Sequence, residues 1–289
     1  KEGQNLSCDS AMFYVHSSDI LSKIIKRTEF RDRIIQLLPG HEQICWLIVI
    51  ILVIKTIKVM KIAIIGTGSV GRTIASKLAE LNYEVMMGTR NVSDKMADSA
   101  KDNYGNPPFN EWFKNNNKVK LGSFSEAATF GDLVINATNG RNSVTALILA
   151  GAKNLAGKVM IDIANPLDFS NGMPPSLLPG LNNTNSLGEE IQKTFPETLV
   201  VKTLNTMWCG LMINPGILGG GDHINFICGN NTEAKIKVKK LLYQFGWKDE
   251  NIIDLGDITG ARATESMLPI WLRVMGVFKS GAFNFKLVR

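Results

Sequence analysis

One stretch narrows the possible folds more than any other: "KIAIIGTGSVGRTIASKLAELN", Lys61 to Asn82. The short apolar run ending in glycine suits a buried parallel strand. Past the glycines, Val70, Ile74, Leu78 and Leu81 recur at helical spacing, and Asn82 is a stop signal. A strand, a glycine-rich turn and a helix in that order open a βαβ unit. In that setting Gly66 permits the tight turn, Gly68 lets the backbone approach a pyrophosphate, and Gly71 lets helix and strand pack closely. The helix N-terminus offers N–H groups and a partial positive charge to phosphates. A tight turn with no ligand is the competing reading, and the surrounding alternation weighs against it.

Strand and helix patterns alternate through the next 140 or so residues. "YEVMMG", "VKLG", "DLVINAT", "KVMIDIAN" and "TLVVKTLN" read as strands. "SDKMADSAKD" (Ser93 as N-cap), "SFSEAATFG", "SVTALILAGA" and "SLGEEIQKTF" read as helices. Within "NYGNPPFNEWFKNNN" the pattern supports about one helical turn around Glu111 to Lys114. The expected fold is α/β, a doubly wound parallel sheet. Beyond Thr206 the alternation loosens into the strands "HINFIC" and "NIIDLG" around an amphipathic helix, "TEAKIKVKKLLYQFG". The last segment reads as a long apolar helix kinked at Pro269, either buried or part of a homodimer contact. The expected division is an extension over 1–59, a nucleotide-binding domain over 60–210 and a C-terminal region over 211–289 that carries the acceptor site or a subunit contact.

About 20 residues past such a glycine turn, an acidic residue would accept hydrogen bonds from the ribose 2′-hydroxyl of NAD. Here Arg90 stands 19 residues beyond Gly71. A planar guanidinium binds phosphate through two parallel hydrogen bonds. Thr89 adds a hydroxyl, Asn91 an amide and Lys95 a second positive charge one turn on. These residues favour NADP(H) over NAD(H). The alternative for Arg90 is a solvated surface side chain.

Composition limits the remaining chemistry. The chain has 289 residues, 45% hydrophobic and 20% charged, with a net charge of +6 spread along its length rather than in a basic block. Nucleic-acid binding is therefore not expected. Cys8, Cys45, Cys209 and Cys228 form no CxxC pair and no zinc-type spacing with histidine, so free thiols in a reducing cytoplasm are expected and no metal site is. The histidines are His16, His41 and His223, and only His223 falls within the enzyme-like part, where packing suits it better than catalysis. Lys202 and Glu265 fall near predicted element ends and read as structural or solvated. No residue stands out as catalytic.

Residues 1–59 differ in character from the rest. Ile44 to Ile54 is an unbroken run of 11 apolar residues. A bilayer-spanning helix needs roughly 20, and Lys55, Lys58 and Lys61 follow at once, so no stable span is expected. The run also sits too far along the chain for a signal peptide. A buried element, an interfacial anchor, or an extension outside the evolved domain with Met60 as the natural start remain open, the last favoured.

On these residues the chain resembles F420-dependent NADP reductases, small Rossmann proteins that pass hydride between NADP and a deazaflavin. The resemblance covers 60–289 and includes the "GTR" turn, "VVKTLNTM", "CGN" and the tail "LGDITGARATESMLP…FNFKLVR". It closely resembles a bacterial branch whose members carry "ANPLDFSNGMPPSL". The resemblance implies that Thr67, Gly68, Ser69 and Val70 hold the pyrophosphate, and Thr89 and Arg90 the 2′-phosphate. It places Asn136, Ala137 and Thr138 along the ribose and nicotinamide. Asn139, Asn165 and Pro166 complete the cofactor set, and Asn205, Thr206 and Met207 face the acceptor. The chain departs from the family where "ATNGRN" replaces a Pro-Trp turn and Asn205 replaces a histidine. The second substrate thus stays open between F420, a flavin, another deazaflavin and a small carbonyl compound.

Hydride transfer between two ring systems needs little from side chains beyond alignment and exclusion of water. A Gly/Pro-rich loop over 172–180 can serve as a lid. Carbonyl or imine reduction, as in hydroxyacid dehydrogenases or pyrroline-carboxylate reductases, would want a proton donor. The 3-hydroxyacid type also carries a large helical second domain, and only 82 residues follow Met207. A non-catalytic NADP sensor is the third reading.

Overall fold

The structure, a computed structural model, describes residues 59–101 and 105–288. The chain divides into two units, residues 1–58 and 59–289, and every described residue belongs to the second. The apolar run at 44–54, like His16, His41, Cys8 and Cys45, lies outside the described residues.

The chain runs through β1 (Lys61–Ile65), α1 (Ser69–Glu80), β2 (Glu84–Thr89), α2 (Val92–Ala97), α3 (Phe109–Asn115), β3 (Val119–Ser123) and α4 (Phe124–Phe130). It continues through β4 (Leu133–Asn136), α5 (Ser143–Ala150), α6 (Ala152–Leu155), β5 (Val159–Asp162), β6 (Leu167–Asp168), β7 (Ser176–Leu177), α7 (Leu187–Thr194) and β8 (Leu199–Thr203). The last part holds α8 (Cys209–Ile213), β9 (Asn225–Cys228), α9 (Thr232–Phe245), β10 (Ile252–Asp254), α10 (Ala261–Ser266) and α11 (Leu268–Phe278).

Eight strands form one sheet in the order β3-β2-β1-β4-β5-β8-β9-β10. Every neighbouring pair is parallel except β8 with β9. The chain order reverses between β1 and β4, the switch point at which open α/β sheets bind ligands beyond the carboxyl ends of their strands. Side chains alternate across β1. Ile62 and Ile64 pack with α1 and α9 on one face, while Ala63 and Ile65 pack with α4, α5 and α7 on the other. Ile74 and Leu78 of α1 are fully buried, and each such side chain contributes about 1.5–3 kcal/mol. Asn82 stops α1 in the left-handed region, at φ 63°, and Tyr83 N–H closes back on the Leu78 carbonyl at 3.0 Å.

Several local readings are revised. Helix α2 is capped by Asn91, which accepts from Asp94 N–H, and not by Ser93, which lies inside the helix. The turn at 111–114 is a seven-residue helix because Phe109 is buried and stacks on Phe113. The apolar C-terminal segment is two helices with Met267 between them, and Pro269 stands in the first turn of the second, where its missing N–H costs nothing. Only Leu268 and Trp271 of α11 are buried; Ile270, Val277 and Phe278 are exposed. Strands β9 and β10 extend the same sheet, so residues 60–210 and 211–289 share it. No helix among the described residues is long and apolar enough to cross a membrane.

Candidate active site

The turn between β1 and α1 lies against the end of β4. Gly66 has φ 119°, and a Cβ there would stand 2.5 Å from the Ala137 carbonyl oxygen. A Cβ on Gly71 would stand 2.6 Å from the Gly66 carbonyl oxygen and 3.2 Å from the Met87 methyl group. A Cβ on Gly68 would meet nothing within 4 Å. Two of the three glycines are thus demanded by close packing, and the third faces open space. Gly68 is also the N-cap of α1, and no side chain caps that helix end or places an acid in its first turn. Thr67, Ser69 and Val70 share this turn and are half-buried, while Gly68 is exposed.

Next to it, Gly66 N–H donates to the Gly88 carbonyl of β2, so the end of β2 borders the glycine turn. Thr89 is buried there and Arg90 is exposed. Among the described residues no hydrogen bond or ion pair engages the Arg90 guanidinium. Asn91 is placed differently, since its side-chain oxygen caps α2 at 3.2 Å. Lys95 is paired with Asp98 at 2.8 Å and lies over the Phe109 ring. Its hydrogen bond and charge hold the Asp98 carboxyl below the usual carboxylate range. A phosphate at Lys95 would have to compete with Asp98, whereas Arg90 has no partner among the described residues to displace.

The opposite wall comes from the ends of β4, β5 and β8. A Cβ on Gly140 would stand 2.0 Å from the Asn165 carbonyl oxygen, so the turn after β4 presses on the turn after β5. Asn139 caps that first turn through Arg141 N–H, and Arg141 pairs with Asp168. Pro166 is buried and its carbonyl accepts from Leu178 N–H at 2.7 Å, anchoring the β6–β7 hairpin. Asn165 and Asn205 hold one another: Asn165 Nδ2 donates to the Asn205 carbonyl and Asn205 Nδ2 to Asn165 Oδ1, each at 2.9 Å. Asn205 Oδ1 is buried with no partner among the described residues. Leu204, just before it, is held at φ 61°, a strained conformation for such a residue. Thr206 and Met207 are buried, Met207 in the core, and their neighbour Trp208 is the exposed side chain of this segment, at 41%. Cys209 accepts from the Thr73 hydroxyl of α1 at 3.5 Å, which brings this segment beside α1.

Behind this wall lies a polar row that the sequence reading missed. Register pairs Asn136 of β4 with Asp162 of β5, and Asp162 with Lys202 of β8. All three are fully buried. Lys202 Nζ contacts Asp162 and Glu265 at 2.8 Å each, and also the Ala164 carbonyl oxygen. Glu265 accepts from Leu187 N–H at 2.8 Å and Gly188 N–H at 3.0 Å, capping α7 across 78 residues of sequence. Lys202 and Glu265 are therefore sealed in rather than solvated. Burial alone would lower the pKa of Lys202, but the two carboxylates outweigh it and the net direction is up. Burial raises that of Glu265, with Lys202 opposing. Burial also pushes the neighbouring Cys228 thiol up to about 12, which leaves it unreactive. The overlooked signal was that three apolar strands, "LVIN", "VMID" and "LVVK", each run into a polar residue at the same level.

His223 is a packed residue. Its Nε2 lies 3.0 Å from the Pro215 carbonyl oxygen, its Nδ1 accepts from Asn284 Nδ2 at 2.8 Å, and its ring meets Trp247 edge-on. Among the described residues no group of His, Cys, Asp and Glu could hold a metal ion.

Known proteins bear on this geometry. The profile of the family described as "NADP oxidoreductase coenzyme F420-dependent" matches residues 61–166. A crystal structure of a candidate F420-dependent NADP reductase from Arthrobacter sp. FB24 is 52% identical, covers 80% of this chain and 100% of its own, and superposes with a TM-score of 0.74. Metalloreductase STEAP3 of Rattus norvegicus is 27% identical over 78% of this chain and 41% of its own length. Metalloreductase STEAP2 of Homo sapiens is 25% identical over 74% and 37%. The chain thus spans about two fifths of the length of the curated relatives it matches.

Proposed function

The chain belongs to the family of coenzyme F420-dependent NADP oxidoreductases, and on that premise we propose that it transfers hydride between NADP(H) and a flavin- or deazaflavin-type ring. The observation that carries the NADP half is the combination of the open Gly68 turn and the unengaged Arg90 cation beside it. Gly68 and the first turn of α1 would hold the pyrophosphate, and Thr89 with Arg90 the 2′-phosphate. When bound, NADPH supplies the hydride.

The acceptor half rests on what surrounds Asn165 and Asn205. Of the charged and imidazole side chains near this wall, none stands free to hand a proton to a carbonyl, and the Cys209 thiol is a weak donor already held by the Thr73 hydroxyl. Asp168 is tied to Arg141, Lys202 is sealed, and His223 is bonded through both ring nitrogens. A ring acceptor asks for planar contact and a few hydrogen bonds, which the half-exposed Trp208 and the unpaired Asn205 Oδ1 can offer. The test is to follow NADPH absorbance with F420, FMN, FAD, ferric chelates and small 2-oxo acids in turn. Turnover with a ring acceptor is expected. Turnover with oxo acids alone would overturn the ring assignment, and tight NADPH binding with no turnover would make the chain a sensor.

A further inference from the structure

We propose that the buried Lys202–Asp162 pair fixes the hydrogen-bond polarity of Thr138, so that this hydroxyl meets a bound cofactor as an acceptor and its partner is the carboxamide N–H of the nicotinamide. The inference rests on the NADP(H) reading above and assigns Asp162, Asn136 and Ser143 as positioning residues.

The chain of donors and acceptors has one solution. Lys202 can only donate, and its three N–H bonds go to Asp162 Oδ2, Glu265 Oε1 and the Ala164 carbonyl. Glu265 has its oxygens filled by Lys202 and by two backbone N–H groups, so it only accepts. Asp162 Oδ1 in turn accepts from Ala164 N–H at 3.2 Å and from the Asn136 side chain at 2.8 Å. With Ala164 N–H donating to Oδ1 and Lys202 to Oδ2, both oxygens of Asp162 act as acceptors, so Asn136 must turn its Nδ2 to Asp162 and its Oδ1 the other way. That oxygen receives Thr138 N–H at 3.3 Å and the Thr138 hydroxyl at 2.7 Å. The Thr138 hydrogen is thereby used. Ser143 Oγ, 2.6 Å from Thr138 Oγ and itself accepting from Asn136 Nδ2 at 3.2 Å, must donate to Thr138.

Thr138 Oγ is left with one acceptor lone pair and nothing to give. It is half-buried at the carboxyl end of β4, and a Cβ on Gly66 would stand 3.1 Å from its backbone nitrogen, which places it beside the dinucleotide turn. A ligand group there has to bring a donor. At the end of NADP(H) remote from Arg90 the donors are the ribose hydroxyls and the carboxamide N–H; a hydroxyl can equally accept, whereas the carboxamide has one side that only donates and one that only accepts, so Thr138 would distinguish its N–H side from its carbonyl side and hence orient the ring.

The test uses the full chain and equilibrium binding of NADP+ and its 3-acetylpyridine analogue, whose acetyl group has no N–H. The wild type is expected to prefer NADP+ by about 10-fold. Thr138→Val should reduce that preference to about 2-fold or less, and Thr138→Ser should restore it. Asp162→Asn, whose amide must keep its oxygen toward the donating Lys202 and so turns its NH2 toward Asn136, and which leaves Lys202 matched one to one by Glu265, should also abolish the preference while still binding NADP+. Equal affinity of the wild type for both dinucleotides would overturn the inference, as would a folded Asp162→Asn that keeps the full preference. If Asp162→Asn does not fold, retention of the preference in Thr138→Val would overturn it just as well. Failure to bind NADP+ at all would instead sink the NADP(H) reading, and this inference with it.

Discussion

Arg90 follows the carboxyl end of β2, exposed and with no ion-pair partner among the described residues, whereas Lys202 near the end of β8 is fully buried between two carboxylates. Both are cations at the same edge of one sheet, and solvent separates their uses. A hydrated guanidinium can stay unpaired until an anionic ligand arrives, because water screens its charge meanwhile. A buried ammonium has no such reserve and must be matched within the fold. One of these cations therefore stays in solvent without a partner among the described residues, and the other is matched inside the fold by two carboxylates.

The sharpest way to break this contrast is Lys202→Met, which leaves Asp162 and Glu265 uncompensated. It should destabilise the protein by about 3–5 kcal/mol, read by denaturant unfolding; a loss of less than about 1 kcal/mol would mean the triad is not what holds this wall. Arg90→Asp should do the reverse. Its unfolding midpoint should stay at the wild-type value, while NADPH affinity falls roughly 10- to 100-fold and NADH affinity does not, measured by calorimetry. Unchanged NADPH affinity would remove Arg90 from the 2′-phosphate site.

Gly68→Ala separates fold from ligand on the open wall. Gly68 has φ −75° and room for a methyl group, so stability should move by no more than about 0.5 kcal/mol. NADPH binding should still weaken, because the added Cβ occupies the space the pyrophosphate needs. Equal affinity would place the phosphates elsewhere.

The smallest effect concerns Arg262, whose bidentate contact with Glu189 joins α10 to α7 near the buried triad. This hydrogen-bonded guanidinium holds the Glu189 carboxyl below its ordinary value of 4.5. A lowered carboxylate contributes stability above its unfolded pKa and loses it as pH falls through the folded one. The stability difference between wild type and Arg262→Met should therefore be constant from pH 7 to about 5 and shrink below about 4.5. Thermal melts across that range check it, and a difference independent of pH would assign the contact no electrostatic share.

Much of the open wall was legible in the chain. The glycine spacing foretold which position would be open and which would be packed, since backbone clashes depend on local geometry. The second strand and its terminal Thr89–Arg90 followed from the same unit. Asn91 and Lys95 are another matter: both lie where expected, but the α2 cap and Asp98 engage them, and a side chain's competing partners are not written in its spacing. The strand ends at Asn136, Asp162 and Lys202 were visible as residues without being recognisable as a row, because neighbours in a parallel sheet lie tens of residues apart.

The sequence by itself determined the α/β class, the glycine turn and the cation beside it, because each arises from contacts within one βαβ unit. Tertiary structure alone decided that Lys202 and Glu265 are sealed together, that Glu265 caps a helix 78 residues away, and that Asn205 retains an unpaired oxygen. Burial and long-range pairing exist only once the strands are laid side by side, and in a low-dielectric interior they decide which charges and hydrogen bonds a site has left to give.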